Sequence, residues 1–159
     1  MARDTRTGGV LESMVIPSLL KGGYHFRALV KIGVRLGGDR PHIIDGLAWT
    51  DDGVLHLLSS KWQQTSGTAE QKVPFEVMCL ASVVTSGTLA IPDVVCTDCG
   101  ASCPPSPAVT KAHLILGGEG WKLRQFYVSG GLQQFIPDSK SVNITTLEAF
   151  VAQANKGML

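Results

Sequence analysis

Apolar positions recur along this chain with two periods. Leu11, Met14, Val15 and Leu19 share one helical face, and Pro17 falls within it, where a kink or restart is expected. Residues 25–36 and 43–49 read as strands. The second runs through Asp51-Asp52-Gly53 into a third, residues 55–62. Thr68-x-x-Gln71 is a capping box for a helix to about Thr85, with Val73, Val77, Leu80 and Val84 as its buried stripe and Pro74 in its first turns. Residues 112–116 are apolar on both faces and read as a buried strand. Gly117-Gly118-Glu119-Gly120 is a turn without the lysine or spacing of a phosphate-binding loop. A helix over 121–128 ends at Gly130-Gly131, and 142–144 form a short strand. Thr145-x-x-Glu148 caps a last helix, which runs to about Asn155 and stops at Gly157. The order α-β-β-β-α-β-α-β-α predicts an α/β fold, a mixed central sheet flanked by helices.

The hairpin carries the chemistry. A three-residue loop with Gly53 at its left-handed position pairs Thr50 with Val54, and therefore Asp45 with Ser59. Side chains two apart share a face, so Asp45, Ser59 and Lys61 cluster at one end of an apolar surface of Leu47, Trp49, Leu55 and Leu57. Lys61 is diagonal to Asp45, roughly 7–8 Å away and within reach of a long side chain. A two-residue loop would shift the register by one and separate the two. Charges set in an apolar sheet call for a partner or a metal.

Asp, a turn, then Ser59-x-Lys61 at a strand end resembles the core of the PD-(D/E)XK nuclease superfamily. Ser59-Ser60-Lys61-Trp62-Gln63-Gln64, followed by Gly67-Thr68-Ala69-Glu70-Gln71-Lys72 and a helix, is similar to small standalone restriction-like and homing-type nucleases. The resemblance covers residues 8 to about 84. It implies a restriction-endonuclease-like sheet and a magnesium-dependent DNA endonuclease in which manganese can substitute. It also implies a homodimer or homotetramer, so that two sites cut two strands. The chain departs from the pattern at Ile44, where the family has proline, and at Ser59, where it has an acid. A hydroxyl is a poor ligand for a hard cation. Some relatives of this kind take the missing acid from the following helix. Here Glu76 lies fifteen past Lys61 and Glu70 nine past it, and Glu76 is the nearer match. Glu12, on the first helix, matches a further glutamate that many members direct at the metal. Gln63 shares a face with Lys61 if the strand continues. The expected site is thus Asp45 with Glu76 or Glu12 on the metal, Lys61 orienting the attacking water, and Gln63 touching metal or substrate. Each residue also has a plainer reading. Glu76 can pair with Lys72 at helical spacing, Lys61 can guard a sheet edge, and Asp45 can face solvent.

Composition narrows the picture. The 159 residues suit one domain, with a core at about 8–88, a Cys- and Pro-rich loop at 93–108 and a β-α tail at 109–159. The 44% hydrophobic content excludes disorder. No apolar run spans a membrane, and residues 1–6 lack a signal-peptide core, so an intracellular, cytoplasmic protein is expected. A net charge of +1 gives little general pull on DNA. Arg27, Lys31 and Arg35 share parity and are expected to form a local basic stripe near Arg40 and His42. Cys96, Cys99 and Cys103, with His113, offer three thiolates and an imidazole for a zinc ion. The rival to an enzyme is a DNA- or protein-binding module that keeps the nuclease fold without catalysis, with or without a zinc loop.

Overall fold

The computed structural model describes residues 9–34, 37–38, 40–86, 94–104 and 109–159. The hairpin is its organising unit. Strands β2 (Pro41–Trp49) and β3 (Val54–Trp62) run antiparallel. Thr50 N–H donates to Val54 O at 3.3 Å, and Gly53 turns the chain at φ 86°, a conformation glycine takes at no steric cost. Trp49 pairs with Leu55 and Gly46 with Leu58, the register expected of a three-residue loop. The pairing ends at Gly46–Leu58, one pair short of the expected Asp45–Ser59.

Strand β1 (His25–Val34) joins antiparallel on the far side of β2, while β4 (Val109–Gly117) and β5 (Val142–Thr146) extend the sheet in parallel beyond β3. The order is β1-β2-β3-β4-β5, a five-stranded mixed sheet. Helices cover both faces. Helix α2 (Ala69–Ser86), which follows α1 (Ile16–Lys21), packs Val73, Val77 and Leu80 on Leu47, Trp49, Leu55, Leu57 and Leu114. Opposite, α1 contributes Leu19. Helix α4 (Leu147–Asn155), which follows the short α3 (Arg124–Val128), contributes Phe150 and Ala154, against Phe26, Ala48, Leu58 and Ile115. Among the described residues no helix is long and apolar enough to cross a membrane.

Local chemistry sets the element ends. A π-helical turn, Leu11–Val15, precedes α1, and Ile16 N–H reaches back to Leu11 O. Pro17 has no N–H and crowds the carbonyl one turn earlier, and the α-helix restarts beside it, with Pro17 in its first turn. The helix expected over 121–128 is confined to Arg124–Val128. The last helix is capped by Thr146, whose Oγ1 accepts Ala149 N–H at 3.2 Å. The expected Thr145 lies within β5 instead, one residue too early to reach the first free amides.

The sheet has one reversal that no glycine announces. Phe26 and Ala28 pack on the α1/α4 side, yet Val30 and Ile32, of the same parity, pack on the α2 side. Leu29 stands between them at φ 53°, left-handed, opposite Asp45 in the register. On β2 the switch falls between Ile44 and Leu47, which both face α2. Arg27 and Lys31 are exposed, but the reversal sends them to opposite faces, so the expected basic stripe is broken. Arg35 lies outside the described residues, as do residues 87–93 and 105–108. A left-handed leucine costs about 1–2 kcal/mol, and Leu29 is 72% exposed, so little burial is at stake. Leu29→Gly is therefore expected to leave the urea midpoint unchanged or raise it by up to about 1 kcal/mol of stability, against the loss usual for glycine in a strand.

A polar pair is buried between β3 and β4. Asn143 Nδ2 donates to His113 Nδ1 at 3.2 Å, leaving His113 Nε2–H to donate to His56 Nδ1 at 3.0 Å. Tyr24 and Phe150 pack edge-on against the two rings. Burial, then the charge of Lys111, holds His56 at about 4, partly offset by Asp52. Burial, then His56 and Lys111, holds His113 at about 3. Both imidazoles are neutral at pH 7.

Candidate functional site

Glu76 sits on the stripe that α2 buries, one residue before Val77 and three after Val73, and is 8% exposed. A carboxylate in that position must find partners, and the sheet supplies three. His42 Nε2 lies 3.1 Å from Glu76 Oε1. Ser59 and Lys61, two residues further along β3, also act on the carboxylate. Burial pushes the Glu76 carboxyl up. The His42 hydrogen bond, the Lys61 ammonium and the Ser59 hydroxyl outweigh it and hold the group below the usual carboxylate range. Glu76 is thus ionised at neutral pH inside a largely apolar wall.

Asp45 is half-buried at the reversal of β2, one residue beyond the last β2–β3 pair. Its Oδ2 accepts Ser60 N–H at 2.7 Å and Ser60 Oγ–H at 3.3 Å. That bond ends the β2–β3 ladder, because the carboxylate replaces a backbone acceptor. The structure therefore gathers His42, Ser59 and Lys61 around the Glu76 carboxylate, while the Asp45 carboxylate is held on Ser60 instead.

Other expected residues stand elsewhere. Gln63 is a structural bracket. Its Nε2 donates to Gly120 O at 2.8 Å and its Oε1 accepts Ala69 N–H at 3.0 Å, so both ends of the amide are used. Gly118, at φ 90°, lets the loop lie against the Gln63 backbone, where a Cβ would fall 2.4 Å from Gln63 O. Glu70, the alternative acid, caps the turn before α3 by accepting Lys122 N–H and Leu123 N–H. Glu12 is exposed on the π-helical turn and lines a shallow pocket with Ile16, Leu20, Phe26 and Ala28. His42 is the residue that spacing did not reveal as a partner of Glu76. Its one sequence signal is a parity shared with Ile44.

The expected zinc set is also rearranged. His113 is held in the sheet by His56 and Asn143, too deep to reach the cysteine loop. Cys103 is half-buried and its sulfur contacts Pro104 O. Cys96 and Cys99 gather instead around His25, at the start of β1. A large cleft of about 550 Å³ lies at the starts of β4 and β5, among Lys111, His113, Tyr127, Lys140 and Asn143, and none of Asp45, Lys61 or Glu76 lines it. No protein-family model, curated protein or solved structure matches the chain.

Proposed function

We propose that the chain is a metal-dependent DNA endonuclease of PD-(D/E)XK type. The observation that carries this reading is the ionised Glu76, set on the buried face of α2 against the Ser59-x-Lys61 end of β3. A helix acid beside Ser-x-Lys is what a site lacking the strand acid requires. The strand order supports the same reading.

Asp45 and Glu76 offer carboxylate oxygens, the donors that magnesium and manganese take. A bound divalent cation would lower the pKa of water and neutralise charge on the phosphate. The side chains do the rest. Lys61 brings a compact cation to the acid cluster, suited to orienting an attacking water and to countering phosphate charge. His42 fixes the Glu76 carboxylate through its hydrogen bond, and the Ser60 amide fixes Asp45. DNA is the proposed partner. Two or four copies would bring one site to each strand.

Plasmid DNA incubated with the protein and magnesium, with chelator in place of magnesium, and with Lys61→Ala tests the proposal. Nicking is expected in the first case alone, with a loss of at least about 100-fold in the variant. Nicking that survives in Lys61→Ala would point to another site. The low exposure of Glu76 and the serine at position 59 favour one alternative, a binding module that keeps the fold. That alternative predicts DNA retention in a gel shift and no cleavage in any metal.

A further inference from the structure

We infer that His25, Cys96 and Cys99 form a zinc site, separate from the proposed nuclease centre. Their ligand atoms lie within 4.8 Å of one another. His25 Nδ1 is 3.2 Å from Cys99 Sγ. Zinc bonds of about 2.0 Å to nitrogen and 2.3 Å to sulfur would set those atoms about 3.5 Å apart at the tetrahedral angle, so a small adjustment admits the ion.

The loop is built for thiolates. Cys96 N–H donates to Ala101 O at 2.7 Å, Gly100 N–H to Cys96 O at 3.0 Å, and Cys103 N–H to Val94 O at 2.8 Å. Gly100 follows Cys99 at φ 74°, which turns the second cysteine back toward the first. Backbone N–H groups of Phe26, Cys99 and Asp98 point at the Cys96 sulfur. The imidazole is oriented as well. With Nδ1 toward the sulfurs, Nε2–H donates to Asp51 Oδ1 at 2.9 Å, the carboxylate–histidine arrangement that fixes a ligating tautomer.

Two thiolates and an imidazole select zinc over magnesium or calcium. The described residues supply three ligands, and the fourth position falls to water beside the exposed Cys99. The ion would tie three segments together: the start of β1, the β2–β3 turn through Asp51, and the loop whose Thr97 N–H already bonds Phe26 O at 3.0 Å. His25 pairs with Trp49, four residues from Asp45 and so about 13 Å along the strand. At that distance magnesium-dependent nicking at the proposed nuclease centre does not report on the ion.

Full-length protein made in zinc-supplemented medium and purified without chelator should carry one zinc per chain by elemental analysis. Cys99→Ser and His25→Ala should lose it, while Cys103→Ser and His113→Asn should keep it. If a variant fails to fold, wild-type protein answers the same question. Cobalt(II) in place of zinc should give a thiolate charge-transfer band, and chelator should expose two further thiols to alkylation. Metal-free protein from that medium, a mass two daltons low from a Cys96–Cys99 disulfide, or loss of zinc in Cys103→Ser would each overturn the assignment.

Discussion

Glu76→Gln should slow magnesium-dependent plasmid nicking by about 100-fold or more while moving the melting temperature by only a few degrees. The amide keeps the shape and an acceptor for His42 Nε2–H, so packing of α2 on the sheet is retained. It loses the negative charge that a cation needs and that Lys61 faces. Glu12→Gln, on an exposed turn, should change the rate less than threefold. Initial nicking rates with circular dichroism melts of the three proteins check this. Equal losses in both variants would move the metal toward the first helix, and a folded but fully active Glu76→Gln would remove Glu76 from the site. The buried carboxylate also carries a stability cost. Replacing buried ionic groups with apolar ones is often neutral or stabilising, so an acid kept there is better explained by chemistry than by packing.

Acid should weaken the fold through the imidazoles buried between β3 and β4. Their folded pKa values, about 4 for His56 and about 3 for His113, lie below the ordinary 6.5. The unfolded chain therefore binds protons first as the pH falls. Stability is complete above about pH 7 and drains from 6.5 down to about 4 for His56 and about 3 for His113, by about 2 kcal/mol per imidazole at pH 5, or about 4 kcal/mol for the pair. Lys111 deepens the effect by repelling a proton from both rings, and Asp52 moderates it at His56. Urea midpoints at pH 7.5 and 5.0 measure the drop. His113→Gln should reduce it by about half. An unchanged drop in that variant would place the acid sensitivity elsewhere.

Much of this geometry was legible in the sequence because it is local. Asp51-Asp52-Gly53 fixed the loop length, and loop length fixed the pairing from Trp49–Leu55 to Gly46–Leu58, while at the expected Asp45–Ser59 position the Asp45 carboxylate takes the Ser60 N–H instead. The apolar spacing of Val73, Val77 and Leu80 placed α2, and Glu76 fell on its inner face by the same count. What stayed hidden depends on contacts between distant segments. Parity along β1 fails at Leu29, since a left-handed leucine carries no mark in the sequence, and the basic stripe failed with it. His42 meets Glu76, and His25 meets Cys96 and Cys99, only because the sheet and its covering loop close. His113 looked like a ligand by position, but parallel pairing beside β3 gave it His56 as a neighbour. Gln63 shows the converse. It looked like an active-site polar group, yet both ends of its amide serve the backbone at the start of α2 and at Gly120.

The pairing of β3 with β4 bears on how the chain reaches this state. Val54 meets Val109 only after α2 and the whole cysteine loop have been threaded between them. Closing so long a loop loses entropy before any ladder bond repays it, and parallel pairing of this kind folds slowly. Until β4 arrives, β3 presents an apolar edge to any passing chain. Renaturation in dilute solution, where such encounters are rare, is the regime that suits this topology.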